Sequence, residues 1–104
     1  MRKRRYEILL PLKHNDGRFV SGETFEQTRE DLIVQFGAVT FLPHTVFGVW
    51  VHEEARYEDE LLRLLVDVDD TPENQQFFVG YKSTLLERFE QIEIYIASCP
   101  VDIL

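Results

Sequence analysis

Apolar residues recur along this chain with two periods, and the order in which the periods alternate predicts its elements. From Tyr6 to Leu12 the period is two. Tyr6, Ile8, Leu10 and Leu12 share one side of an extended backbone, and Leu9 adds an apolar group to the other. Asn15-Asp16-Gly17 signals a turn inside a polar connection over residues 13–23. The period then lengthens to that of a helix. Thr24 is expected to cap it, with Gln27 completing a capping box. Phe25, Thr28, Leu32 and Phe36 mark its apolar stripe, and Gly37 is a natural stop. Extended residues resume at Ala38 to Phe41 and are interrupted by Pro43.

Val46 to Glu53 reads as a second strand. Phe47, Val49 and Val51 lie on one face, and Val46, Gly48, Trp50 and His52 lie on the other. After a polar turn over Glu53 to Arg56, a third strand is expected from Tyr57 to Val68. Propensity alone also allows Leu61 to Val66 to be helical. The β-branched Val66 and Val68, and a hairpin with the preceding strand, favour a strand. The second helix has the clearest start, with Asp70 or Thr71 as cap and Pro72 in the first turn. Phe78, Tyr81 or Lys82, Leu85 and Phe89 mark its face. Gly80 in its interior is expected to reflect close packing against the sheet. Ile92, Ile94 and Ile96 predict a fourth strand closed by Pro100, with a short extended tail after it.

The order is β-α-β-β-α-β, the split βαβ arrangement: a four-stranded antiparallel sheet with two helices on one face. Alternate strand residues then point away from both helices. The strands carry apolar groups on that side too, whereas a solvated sheet face reads as more strictly polar. Leu9, Trp50 and Tyr95 are therefore the expected interface residues. A second copy of the chain is the simplest partner for such a surface, in a two-fold homodimer. A heterologous protein partner, or burial of Trp50 beneath the long connection or the C-terminal tail, are the alternatives.

Composition adds bounds. The 104 residues suffice for one core. Residues 1–5 read as a basic, flexible terminus and residues 6–104 as a single domain. The formal charge is −8. Arg2, Lys3, Arg4 and Arg5 are all basic, so the remainder sets 7 basic residues against 19 acidic ones. A body this acidic repels a phosphate backbone, and nucleic acid is not an expected partner. No apolar run approaches the ~20 residues of a membrane helix. The opening does not read as a secretory signal, because its apolar run is short and broken by Glu7 and Pro11. The single Cys99 cannot form an internal disulfide. A cytoplasmic protein is expected.

Candidate chemistry is sparse. His52, Arg63 and Tyr95 are the catalytic candidates if they meet in a cleft, where an imidazole beside phenols gives acid/base groups for a small molecule. Such a cleft would bring His52 toward Tyr6 or Tyr95. His14 and His44 fall in connections and are expected as surface groups. His52, Glu53 and Glu54, with Glu58 to Glu60, are possible metal ligands, but neighbouring strand residues point to opposite sides, and a solvated acidic hairpin explains them better. No phosphate loop or paired-cysteine motif occurs. No cofactor and no metal is expected. A non-enzymatic interaction or regulatory domain is the leading reading, and a small-ligand protein or cofactor-independent enzyme with a cleft on the open sheet face is the second.

The runs Tyr6 to Leu12, Tyr57 to Glu60 and Arg88 to Tyr95 make the chain similar to small uncharacterised bacterial proteins with a ferredoxin-like fold. That resemblance implies the same topology across nearly the whole chain. It implies no reaction and no cofactor.

Overall fold

The computed structural model describes residues 2–104, the side chains of residues 43–45 excepted. The elements run β1 (Lys3–Pro11), α1 (Gly22–Phe36), β2 (Thr40–His52), β3 (Ala55–Asp69), α2 (Pro72–Arg88) and β4 (Tyr95–Val101). They form one antiparallel sheet in the order β2-β3-β1-β4. This is a ferredoxin-type β-α-β-β-α-β sandwich, with both helices on one face.

Strand parity decides what each face carries. In β1, Tyr6, Ile8 and Leu10 point to the helices, and in β3 Leu64, Val66 and Val68 do the same; all six are buried. The helices answer with Leu32 from α1 and with Phe78, Tyr81 and Leu85 from α2, joined by Phe89 and Ile94 from the connection to β4. The Tyr6 and Phe78 rings stack with centroids 3.9 Å apart, and Phe36 stacks on the same Phe78. The aromatic residues of α2 are therefore core, as their spacing implies.

Several local expectations are corrected. Ser21 rather than Thr24 caps α1. Its hydroxyl accepts from the Thr24 N–H at 3.3 Å, so the helix starts one turn earlier. Thr71 caps α2 by accepting from the Asn74 N–H. Residues 38–41 and 46–53 belong largely to a single strand, β2, which continues through a register shift between Leu42 and Val46. The fourth strand begins at Tyr95, so Ile92 and Ile94 precede it. Pro100 lies within β4, where it is tolerated because β4 is an edge strand. The basic segment is not a flexible end. Lys3, Arg4 and Arg5 lie in β1, and the register brings them beside the acidic end of β3. Lys3 pairs with Asp69, Arg4 with Asp70 and Arg5 with Asp67. The Arg5 hydrogen bonds hold the Asp67 carboxyl below its ordinary range.

A polar tie locks the helices together. Tyr81 donates to Asp31 at 3.0 Å, and Arg88 reaches both Asp31 and the fully buried Thr28 hydroxyl. Burial, reinforced by the Asp31 carboxylate, pushes the Tyr81 phenol up to about 12. The folded pKa is raised, so this stabilisation is complete below the ordinary phenol value near 10 and is lost as pH rises through the folded value. Tyr81→Phe should therefore flatten the loss of stability expected of the parent between about pH 10 and 12. Urea midpoints measured across that range test this, and two parallel curves would refute it.

Gly80 is exposed, and a Cβ built there meets nothing within 4 Å. It does not pack closely against the sheet. Gly80→Ala should stabilise the fold by up to about 1 kcal/mol. Thermal or urea unfolding checks this, and a destabilised variant would show that some packing constraint had been missed.

Candidate functional site

The face away from the helices holds the odd residues of β1, β3 and β4 and the even residues of the distal part of β2. Cross-strand register sets their neighbours. Leu9 lies between Arg63 of β3 and Tyr95 of β4. Across the hairpin, Val46 faces Leu61, Gly48 faces Asp59 and Trp50 faces Tyr57.

The expected interface residues Leu9, Trp50 and Tyr95 converge on one slot of about 250 Å³. Gly48, Val49 and Leu61 also line it, and the carboxylates of Asp59 and Glu93 complete it. Neither the long connection nor the C-terminal tail lines it, so Trp50 is not buried beneath either. Trp50 forms a firm wall. Its ring stacks on Tyr57 with centroids 4.5 Å apart, and its indole N–H donates to Asp59 at 3.1 Å. Gly48 keeps the slot open. A Cβ at that position would stand 3.0 Å from the Leu61 side chain.

Charges on this face are largely paired. Arg63 donates to Glu7 at 2.6 Å, and Arg5 holds Asp67 through two hydrogen bonds. Lys82 binds Glu93 at 2.8 Å, and that bond, with a smaller opposing effect of burial, lowers the Glu93 pKa. Asp59 has no ion pair among the described residues.

The three catalytic candidates do not form one centre. Arg63 and Tyr95 flank Leu9, but His52 sits at the hairpin end opposite Ala55. Eight residues of strand separate Ala55 from Arg63, which corresponds to roughly 26 Å. His52 approaches neither phenol proposed for it. Tyr6 is buried on the opposite face, and the His52 ring lies beside that of Trp50 instead, at 6.1 Å. His14 departs from the expectation of a surface group. Its ring is mostly buried, with Nδ1 3.1 Å from the Phe89 carbonyl oxygen at the end of α2. The His44 side chain lies outside the described residues. No group of three or more His, Cys, Asp or Glu is arranged to hold a metal among the described residues. Cys99 is exposed.

Asp59 and Glu93 escaped sequence reasoning as members of this site. Parity offered a signal for Asp59, which shares the odd set of β3 with Leu61. Parity likewise placed Glu93 on the side of Tyr95, although it precedes β4 and only the fold brings it to the slot.

On the helix side the distal hairpin extends past the helices, leaving Phe47, Val49 and Val51 each more than 60% exposed. Between this hairpin and the β1–α1 connection lies a larger groove of about 580 Å³. Lys13, His14, Phe47 and Arg56 to Glu60 contribute to it, so its charges are mixed.

No family model matches the chain, and no curated protein matches it. Solved structures do. The divalent cation tolerance protein CutA1 of Thermus thermophilus superposes with a TM-score of 0.64 at 16% identity, covering 97% of this chain and 85% of that one. CutA1 of Oryza sativa gives 0.65 at 10% identity, with 99% and 83% covered. A phage SAM lyase in complex with S-methyl-5′-thioadenosine gives 0.67 at 12% identity, with 97% and 90% covered. These likenesses establish the fold. They span a plant and a phage protein as well as a bacterial one, so the resemblance is not specifically bacterial.

The hairpin that carries Trp50 turns through Glu53 and Glu54, both at positive φ (49° and 67°). Two-residue turns of this kind favour Asn-Gly, and a side chain in left-handed backbone costs roughly 1 kcal/mol. Replacing the pair by Glu53→Asn and Glu54→Gly should raise stability by about 1 kcal/mol. A denaturation midpoint unchanged or lowered would contradict this account of the turn.

Proposed function

We propose that this chain is a non-enzymatic interaction or regulatory domain that self-associates through the open face of its sheet, most simply as a two-fold homodimer. The observation that carries the reading is the convergence of Leu9, Trp50, Leu61 and Tyr95 on one apolar slot on the side that the helices leave bare. Contiguous apolar surface on a sheet face is stabilised by a partner, and a second copy buries the same surface twice.

Charge supports the same face. A protein with net charge −8 repels its own copies, and the repulsion is weakest where charges are already neutralised. The Glu7–Arg63 and Arg5–Asp67 pairs make that part of the open face locally neutral. Lys3, Arg4 and Arg5 are all engaged by aspartates, which leaves the basic segment poorly suited to a phosphate backbone. No helix of the described residues is long and apolar enough to cross a membrane. The separation of His52 from Arg63 and Tyr95 argues against the acid/base centre considered for them. A small-ligand reading retains one specific support, the slot itself.

Sedimentation velocity across a concentration range tests the proposal. The parent should run at twice the 12.3 kDa chain mass. Tyr95 is 56% exposed, so Tyr95→Lys should leave the fold intact while weakening association at least tenfold, a loss of about 1.4 kcal/mol. A persistent single-chain species would defeat self-association. An assembly insensitive to Tyr95→Lys but dissolved by Val51→Lys would move the contact to the hairpin and refute the open face.

A further inference from the structure

We infer that the slot on the open face binds a small organic cation with a flat apolar body, its positive group held by Asp59. The inference goes beyond self-association and does not require it. A second copy over the same face would roof the slot.

The walls select the body of the ligand. Leu9 and Leu61 are apolar, Trp50 and Tyr95 present aromatic surface, and Gly48 supplies space by having no side chain. At about 250 Å³ the slot lies just below the usual ~300 Å³ lower bound of ligand pockets, which suits a molecule built on one ring. Its shape is also held firmly, because Trp50 is fixed by both Tyr57 and Asp59.

The charges select the sign of the ligand. Among the described residues the lining contains no Lys, Arg or His, and its only charged members are Asp59 and Glu93. Lys82 and the Ile94 N–H already occupy Glu93. Asp59 accepts the indole N–H and forms no ion pair among the described residues. A carboxylate at the edge of an apolar, aromatic slot attracts an ammonium-type group and repels an anion, and the rings add cation–π attraction. The larger groove near Lys13 and Arg56 gives no such selection, because both signs line it.

Trp50 is the only tryptophan, so its fluorescence reports on the slot directly. The probes are phenethylammonium, the neutral phenethyl alcohol and the anionic 3-phenylpropionate, each titrated into the full chain. Phenethylammonium should give a saturable change, phenethyl alcohol should bind roughly tenfold more weakly, and the carboxylate should give none. Asp59→Asn keeps an acceptor for the indole N–H and should reduce phenethylammonium to the level of the neutral probe. Gly48→Val should abolish binding of both phenethylammonium and phenethyl alcohol, with a far-UV circular dichroism spectrum like the parent's confirming its fold. Equal response to the three probes, no saturable response, or binding untouched by both variants would overturn the inference. Sedimentation of the same samples separates the two claims. Intact self-association without a phenethylammonium response sinks the slot alone, and saturable binding to a single-chain species sinks self-association alone.

Discussion

The packing of β1 and β3 against the two helices is the constraint from which the rest of the molecule follows. These central strands present Tyr6, Ile8, Leu10, Leu64, Val66 and Val68 to the helices with every second residue, and close packing there fixes the register of both. A slip of one residue would turn that set outward and bring Arg5, Glu7, Arg63 and Asp67 into the core. Parity therefore determines both faces at once. The same register places Leu9 between Arg63 and Tyr95 and pairs Glu7 with Arg63.

The two faces are stabilised by different physics. On the helix side, apolar burial and ring stacking dominate, with the Asp31–Tyr81–Arg88 tie satisfying the polar groups trapped between the helices. On the open side, cross-strand ion pairs and a partly covered apolar slot coexist. Half-exposed pairs contribute little to stability. Their consequence is a face whose charge is balanced within an acidic protein. An apolar recess beside balanced charge suits contact, either with another copy or with a small ligand. The distal hairpin enlarges that face by carrying Trp50 and Gly48 past the part of the sheet that the helices cover.

Much of the fold was legible because the elements follow local rules. The spacing of Phe78, Tyr81, Leu85 and Phe89 announced the buried face of α2, and Pro72 announced its start. The start of β1 was obscured because Lys3, Arg4 and Arg5 look like a solvated end until Asp67, Asp69 and Asp70 lie beside them. The start of β4 was misplaced because Ile92, Ile94 and Ile96 alternate like a strand, although Ile94 reaches the core from the preceding connection. Gly80 invited an explanation by packing that its open surroundings do not supply.

The chain's periodicity by itself determined the β-α-β-β-α-β order and named Leu9, Trp50 and Tyr95 as residues without a place beneath the helices, because strand and helix periods are properties of neighbouring residues. Tertiary structure alone decided that these three share a slot, that Asp59 and Glu93 enter it, and that His52 stands apart from Arg63 and Tyr95. Those relations depend on the sheet order and on which rung of one strand meets which rung of the next. Contacts between distant segments set that register, and no local pattern encodes it.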